Sequence, residues 1–129
     1  MNRQAPTQQD STDAETRDVI RRFNDAFQLH DPTLLNDLIA AECVLENSRP
    51  APDGSRHVGR EACLALWQGI VTLPGTGFDL EDVIVSGERA TIFWRFRWGD
   101  DDSSSVRGVN LMRVRGGLIV EGKGYVKGA

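Results

Sequence analysis

The stretch RATIFWRFRW (89–98) decides the fold that this sequence predicts. Large aromatic residues alternate with arginines at its end. Because successive side chains of a strand point to opposite faces, alternation with a period of two predicts a strand. Three adjacent rings on one sheet face belong either to the middle of a core or to the wall of a pocket. One face carries Trp94, Phe96 and Trp98, and the other carries Arg95 and Arg97.

The segments on either side of this strand have the same character. They read FDLEDVIVS (78–86), SVRGVNLMRV (105–114) and GLIVEGKGYV (117–126), with the turn-forming segments GE, GDDDSS and RGG between the strands. Short connections of this kind join neighbouring antiparallel strands. The C-terminal half therefore predicts a meander of four strands.

The N-terminal part has helical periodicity instead. Thr12 and Glu15 form a Thr-x-x-Glu capping box, which predicts a helix that starts at Thr12 and ends near His30. Asp31 followed by Pro32 predicts the N-cap and first turn of a second, short helix. The apolar stripes are Val19, Ile20, Phe23, Ala26 and Phe27 in the first helix, and Leu34, Leu35, Leu38 and Ile39 in the second.

A strand, a loop and a third helix are predicted between these helices and the meander. ECVLENS (42–48) is a short strand candidate, and the segment 49–59, rich in proline and glycine, predicts a loop. Residues 60–72 predict a third helix, which Pro74 and Gly75 terminate. Its apolar side consists of Cys63, Leu66, Trp67 and Ile70.

This order of elements indicates an α+β fold. We expect three N-terminal helices packed over a strongly curved mixed or antiparallel sheet, with a conical cavity between them. The polar residues 1–11 are expected to form a disordered leader, and residues 12–129 a single domain. The length of 129 residues, with 40% hydrophobic and 26% charged residues, suits one globular domain.

Composition excludes several classes of function. The net charge is −4 and there is no basic run, so nucleic acid is not an expected partner. No apolar stretch approaches about 20 residues, so no membrane span is predicted. Without a secretion signal, Cys43 and Cys63 are expected to be reduced thiols in the cytoplasm. Together with His30 and His57 they show none of the usual metal-ligand spacings, so neither a metal site nor a cofactor is predicted.

The element order, together with VGREA (58–62) and GVNLMRVRGGLIVEGKGYVKG (108–128), resembles the nuclear-transport-factor-2-like superfamily, and in particular its SnoaL-like members. The resemblance covers roughly residues 12 to 127. It implies the fold. It leaves the activity open, because this scaffold hosts isomerases, cyclases, epoxide hydrolases, dehydratases and non-catalytic proteins.

The resemblance to ketosteroid isomerases of this superfamily assigns three positions of their site. Their Tyr on the first helix, their Asp on the first strand and their second Asp correspond to Phe23, Asn47 and Asn110. In such an isomerase one Asp is the base, while the Tyr and a protonated Asp donate hydrogen bonds to the enolate. Asn takes up no proton near neutral pH, and Phe has no hydroxyl. We therefore expect no efficient ketosteroid isomerisation, although Asn110 could donate a hydrogen bond to a carbonyl.

The epoxide hydrolases and cyclases of the superfamily are a weaker match. ECVLEN (42–47) is similar to the epoxide-hydrolase segment in which an Asn helps to hold water, and Asn47 takes that position. The acid that both groups carry on the last strand is replaced by Gly124. The usual catalytic carboxylates are therefore absent from every family position that the resemblance assigns.

The same overlay predicts an inward-facing, aromatic and nearly uncharged set of side chains, next to the small Gly122 and Gly124. Such a set describes either a filled core or a site for an apolar ligand. The two amides favour a site, although Asn47 could instead bond the backbone of residues 49–52. Glu46 and His57 are weaker candidates. The predicted set is Phe23, Phe27, Leu45, Asn47, Trp67, Trp94, Phe96, Trp98, Asn110 and Met112.

Three functions remain open at this point. The first is an enzyme, a lyase, isomerase or cyclase acting on a small hydrophobic substrate that Asn47 and Asn110 orient. The second is a non-catalytic protein that binds such a molecule, and the third is a dimerisation module with a filled cavity. The outer sheet face mixes apolar side chains with arginines, a composition that suits a homodimer interface. That face is expected to carry Arg95, Arg97, Val109, Leu111 and Arg113, with Tyr125 nearby and Glu121 beside the arginines.

Overall fold

The computed structural model describes residues 7–128 and shows two α-helices and six strands. The helices are α1 and α2, two 3-10 turns interrupt the loops, and the strands are β1 to β6 in chain order. Their bounds are α1 Gln8–Gln28, a 3-10 turn Pro32–Leu35, β1 Ile39–Glu46, β2 Arg56–Val58, α2 Arg60–Val71, β3 Gly77–Ser86, β4 Arg89–Arg97, a 3-10 turn Asp102–Ser104, β5 Ser105–Arg115 and β6 Leu118–Val126.

The six strands form one mixed, curved sheet in the order β2-β1-β6-β5-β4-β3. The meander β3 to β6 is antiparallel throughout, as its short connections predict, while β1 pairs in parallel with β6. This parallel pair brings the end of β1 next to the last strand. The predicted α+β class and the mixed sheet are confirmed.

The prediction of three helices is wrong, because the segment after Pro32 forms only one 3-10 turn. Asp31 does cap it, and its side chain accepts a hydrogen bond from the backbone N–H of Thr33 at 3.0 Å. Most of the apolar residues predicted for this helix are instead buried in the core or belong to β1. Leu35 and Leu38 are fully buried, and Ile39 already begins β1.

The first helix begins earlier than predicted, at Gln8. Its N-cap is Thr7, whose side chain accepts from the backbone N–H of Asp10 while the Asp10 carboxylate accepts from the Thr7 N–H. Thr12 lies inside the helix and donates to the carbonyl of Gln8, and Glu15 accepts from the N–H of Gly117. The expected leader of residues 1–11 is therefore wrong from residue 8 onward, and residues 1–6 lie outside the described part of the chain.

Two further bounds differ around the first strand. β1 starts at residue 39 rather than 42, and the predicted loop 49–59 contains the short strand β2, which pairs with β1. Helix α2, predicted over 60–72, ends at Val71.

Both helices pack on the same face of the sheet, and within residues 7–128 no helix covers the other face. Helix α1 contacts β3, β4 and β5, and α2 packs against β1. The buried Thr16 hydroxyl fixes α1 to the β3–β4 turn, because it donates to the carbonyl of Gly87 at 2.6 Å. Among residues 7–128, no helix is both long and apolar enough to cross a bilayer.

Candidate functional site

A cavity of about 420 Å³ lies between the two helices and the covered face of the sheet. This volume falls within the range of small-molecule pockets. Of the ten residues predicted to face inward, the structure places all but Met112 on the cavity wall. Met112 is buried in the core beneath the wall. Trp98 stands at the rim, since about half of its surface (52%) is exposed. The predicted residues on the wall are Phe23, Phe27, Leu45, Asn47, Trp67, Trp94, Phe96, Trp98 and Asn110.

The aromatic rings of the wall form one continuous chain of contacts. It starts at Trp67 on α2, which meets Phe23 edge-on with ring centroids 5.1 Å apart. The next ring is Phe27 on α1, whose centroid lies 4.9 Å from that of Phe23. The ring of Phe78 on β3 follows, with its centroid 5.4 Å from that of Phe27. Edge-on and tilted rings at these distances attract one another in addition to burying area. The chain ends with Trp94 and Phe96 on β4 and with Trp98, the residue directly after β4.

Phe78 joins the helix side of the wall to the sheet side, although it is not among the residues predicted to face inward. Its ring contacts Phe27, Trp94 and Phe96. The hairpin register, in which Phe78 opposes Phe96, is the signal that could have found it. A bulge after Leu80 hides that signal, because it breaks the period-two alternation within β3. Other wall residues outside the predicted set are Asn24, Gln28, Glu46, Ser48, Arg49, Leu66, Ile70, Leu73, Leu80, Ile92, Val106, Gly122, Lys123, Gly124 and Val126.

The amide of Asn110 is held in one orientation by Trp94. The indole Nε1–H donates to Asn110 Oδ1 at 3.2 Å. Because an indole nitrogen only donates, the atom facing it must be the amide oxygen. The Asn110 NH₂ group forms no hydrogen bond within the described chain, so it remains available on the cavity wall.

The amide of Asn47 is oriented in the same way at the end of β1. Its Oδ1 accepts from the backbone N–H of Ser48 at 3.0 Å, which again leaves the NH₂ group free of partners among residues 7–128. The alternative, in which the Asn47 side chain bonds the backbone of residues 49–52, does not occur. The backbone N–H of Asn47 instead holds the loop after β1, because it donates to the carbonyl of Ser55.

Three glycines shape the sheet side of the wall. A side chain at Gly108 would lie 2.4 Å from the Trp94 ring, and one at Gly122 would lie 2.8 Å from the Trp67 ring. Both tryptophans therefore occupy the space over a glycine. Gly124 differs, because the nearest heavy atom to a side chain built there is Asn110 Oδ1, 3.4 Å away. A Cβ at Gly124 would therefore make ordinary van der Waals contacts, and no ring occupies its place.

Three charged residues, Glu46, Arg49 and Lys123, are among those that line the cavity. Glu46 is the single carboxylate among the described wall residues, and it lies between the inward-facing Leu45 and Asn47, so strand alternation turns its side chain away. His57 lies outside the wall, where its Nε2 is 3.0 Å from the Ser55 hydroxyl. Within residues 7–128, no three His, Cys, Asp or Glu side chains are grouped to hold a metal ion. The site can hold apolar groups and donate hydrogen bonds.

The arginines of β4 lie on the outer face, but with other partners than expected. Arg97 pairs with Asp79 at 2.5 Å and Asp102 at 2.9 Å, and Arg95 donates to the Ser105 hydroxyl. Arg113, which opposes Glu121 in the register, pairs with Glu88 at 3.3 Å. The apolar Leu111 (40% exposed) and Tyr125 (54% exposed) stand between these ion pairs.

The two cysteines lie beneath the wall as free, buried thiols. Burial raises the pKa of the Cys43 thiol above its ordinary value, and the neighbouring Cys63 adds to the rise. Burial also raises the pKa of the Cys63 thiol. Cys63 Sγ donates weakly to the carbonyls of Cys43 and His57, each at 3.4 Å, so both thiols act as packing groups.

Comparison with known proteins identifies the fold family. The family model for the SnoaL-like domain matches residues 20–122. An NTF2-like protein of unknown function from Mesorhizobium loti is 57% identical in sequence, with 97% of this chain and 98% of that chain covered and a TM-score of 0.86.

More distant structures share the fold alone. A candidate polyketide cyclase from Sinorhizobium meliloti is 21% identical over 83% of this chain and 93% of that chain, with a TM-score of 0.67. A candidate ketosteroid isomerase from Kribbella flavida is 19% identical over 95% of this chain and 84% of that chain, with a TM-score of 0.76. No curated protein matches this chain.

Proposed function

The chain belongs to the SnoaL-like family of NTF2-like proteins, and we propose that it binds one small apolar molecule in the cavity between its helices and its sheet. The observation that carries the proposal is the aromatic chain from Trp67 to Trp98, which surrounds an open space instead of closing on itself. A filled core would bring these rings into contact across the cavity, because protein interiors pack at crystal density.

Binding without proton transfer by the wall fits the site best. The three positions that carry Tyr, Asp and Asp in ketosteroid isomerases hold Phe23, Asn47 and Asn110 here, and all three border the cavity. General acid–base catalysis contributes about 10² to 10⁴ in rate and needs a titratable group within reach of the substrate. We expect the purified protein to leave a Δ5-ketosteroid unchanged; isomerisation at enzymatic rates would contradict this assignment.

The binding proposal is tested by calorimetric titration with tetralin, a bicyclic hydrocarbon. One molecule per chain should bind, with a dissociation constant on the order of 10 μM for ten carbon atoms. Val106→Trp, which places a large ring in the cavity, should abolish binding. Val58→Trp on the exposed edge strand β2 is the matched control and should bind as the wild type does. Binding that survives in Val106→Trp would place the ligand elsewhere.

We also propose a homodimer through the outer face of the sheet. Support comes from the exposed Leu111 and Tyr125, which stand among arginines already neutralised by carboxylates of the same chain. Apolar groups surrounded by paired charges suit an interface, because little uncompensated charge is desolvated. Leu111→Arg should yield the monomer mass in light scattering at micromolar concentration. Leu29→Arg, at a more exposed leucine just after α1 (68% against 40% for Leu111), should not. A monomeric wild type would refute the dimer.

The cytoplasm is the compartment we propose, on the ground of the thiols. Cys43 and Cys63 are both free, and reducing compartments keep thiols in that state. Fractionation of the native host with detection by antibody tests this assignment. Recovery outside the cytoplasmic fraction would contradict it.

A further inference from the structure

Three apolar side chains of the cavity wall are also exposed to solvent, and they mark its mouth. They are Leu73 in the loop after α2, Leu80 on β3 and Trp98 directly after β4. The other apolar residues of the described wall are buried or partly buried. Because the three belong to different elements around one opening, a ligand that fills the cavity toward solvent reaches them last.

Trp98 carries the outermost ring of the aromatic chain and the one that is held most loosely. Its centroid lies 6.1 Å from that of Phe96, whereas the other contacts of the chain measure 4.9–5.4 Å. Its indole N–H forms no hydrogen bond within residues 7–128, in contrast to that of Trp94, which donates to Asn110. A large apolar ring is therefore left half in water, next to an apolar cavity.

The backbone beneath Trp98 is firmly held. The Trp98 N–H donates to the carbonyl of Ser104 at 3.0 Å, which closes the loop after β4. The preceding residue, Arg97, forms ion pairs with Asp79 on β3 and with Asp102 in the loop. We therefore expect motion at this position to be rotation of the Trp98 side chain on a fixed backbone.

We propose that Trp98 is a specificity-determining residue, whose indole covers the outer end of the bound molecule and so favours ligands long enough to reach the mouth. This inference rests on the proposed binding of an apolar molecule in the same cavity. A ligand that removes water from the exposed ring gains free energy, and the fixed backbone keeps the ordering cost small. The ligand class is accordingly an elongated molecule with an apolar outer end.

The test compares biphenyl with tetralin in calorimetric titrations, with the protein in the syringe because both hydrocarbons dissolve sparingly. The rings of biphenyl are joined end to end, so it is longer than tetralin, whose rings are fused. The quantity measured is the ratio of the two dissociation constants, in which a general change of the cavity cancels. The ring of Trp98 exposes on the order of 100 Å², and covering about 60 Å² of it corresponds to about tenfold in affinity. The wild type should therefore prefer biphenyl, and Trp98→Ala should lose about tenfold of that preference.

Two further variants separate contact with the ligand from a general effect on the protein. Trp98→Phe keeps a smaller ring at the mouth and should retain part of the preference for biphenyl. Leu29→Ala is the matched control, because Leu29 is an exposed apolar residue that does not line the cavity, and this variant should keep the preference in full.

Acrylamide quenching of the tryptophan fluorescence reports the contact itself. Trp67 is buried and Trp94 partly buried, so the quencher reaches chiefly Trp98. Saturating biphenyl should lower the Stern–Volmer constant of the wild type severalfold. In Trp98→Phe the ligand should change this constant little, and a change as large as in the wild type would contradict the assignment to Trp98.

The possible outcomes distinguish this inference from the binding proposal. The role of Trp98 would be overturned by full retention of the biphenyl preference in Trp98→Ala, by its absence in the wild type, or by quenching that biphenyl leaves unchanged. Intact tetralin binding would still leave the cavity proposal standing. Tighter binding of biphenyl-4-carboxylate than of biphenyl would overturn the apolar outer end. If the wild type bound neither hydrocarbon, the proposed function itself would fail, and this inference with it.

Discussion

Gly108→Ala is expected to destabilise the protein by displacing Trp94. The added Cβ would lie 2.4 Å from the Trp94 ring and 2.5 Å from the backbone oxygen of Tyr125, whereas carbon atoms in contact are about 3.5–4.0 Å apart. The ring could rotate into the cavity, but it would lose its hydrogen bond to Asn110. The carbonyl oxygen belongs to β6, which pairs with β5.

The magnitude follows from these two displacements. Overpacking costs about 1–3 kcal/mol and a lost hydrogen bond about 0.5–1.5 kcal/mol. Alanine also lowers the entropy of the unfolded chain, which stabilises the folded state by about 0.4–1 kcal/mol. This gain applies because neither Gly108 nor the control position Gly124 has a positive φ, so alanine can adopt the native backbone conformation at both. We expect a net loss of about 2–3 kcal/mol, and a urea midpoint lower by about 1–2 M.

Urea unfolding followed by circular dichroism measures this loss directly. Gly124→Ala is the matched control, because the same chemical change meets no atom closer than 3.4 Å and should leave the free energy of unfolding within about 0.5 kcal/mol of the wild type. If Gly108→Ala were as stable as that control, Trp94 could not lie over Gly108, and the description of the cavity wall would be wrong.

Three further predictions concern the frame around the cavity. Thr16→Val should cost about 1–3 kcal/mol in urea unfolding, because the carbonyl of Gly87 loses its buried partner; an unchanged midpoint would contradict the role of that bond. Hydrogen bonds from Arg115 lower the pKa of Glu88 from its ordinary 4.5, so the stability they confer is present above pH 4.5 and lost as the pH falls through the folded-state pKa. Glu88→Gln should therefore be less stable than the wild type at pH 7 and equal to it in strong acid, whereas a gap that persists in acid would refute the linkage. Both thiols should resist Ellman's reagent at pH 8 in the native protein and react on unfolding, because burial raises their pKa values; rapid labelling of the native protein would show that they are accessible.

The sequence predicts the strands of the fold better than the helix ends. The four-stranded meander can be predicted because each turn contains glycine or acidic residues that favour turns. The pairing of neighbouring strands then follows from the short connections. The start of α1 is ambiguous because Thr7 and Thr12 both precede an acidic residue by three positions, and only the tertiary contact of Glu15 with Gly117 decides between them. The 3-10 turn Pro32–Leu35 has the N-cap of a helix, but it ends after four residues, before an α-helix can extend.

The site was predictable where alternation is unbroken. Trp94, Phe96 and Asn110 lie on β4 and β5, which pair without a register shift, and all three reach the cavity wall. The position of Phe78 on the wall was not predicted, because the bulge in β3 breaks the alternation between Phe78 and the later residues of the strand. No pattern in the sequence distinguishes Gly124 from Gly122, since the difference depends on whether a tryptophan from another element covers the glycine.

Nuclear Overhauser contacts between bound tetralin and the protein test the central claim most directly, because they locate the ligand. Isotope-edited spectra of the saturated complex should show contacts from tetralin protons to the ring protons of Phe78 and Trp94 on the cavity wall. Tyr125, the single tyrosine, lies on the opposite face of the sheet and should show none. Contacts to Tyr125 without contacts to Phe78 and Trp94, or no contacts at saturating tetralin, would contradict the account of a ligand-binding cavity.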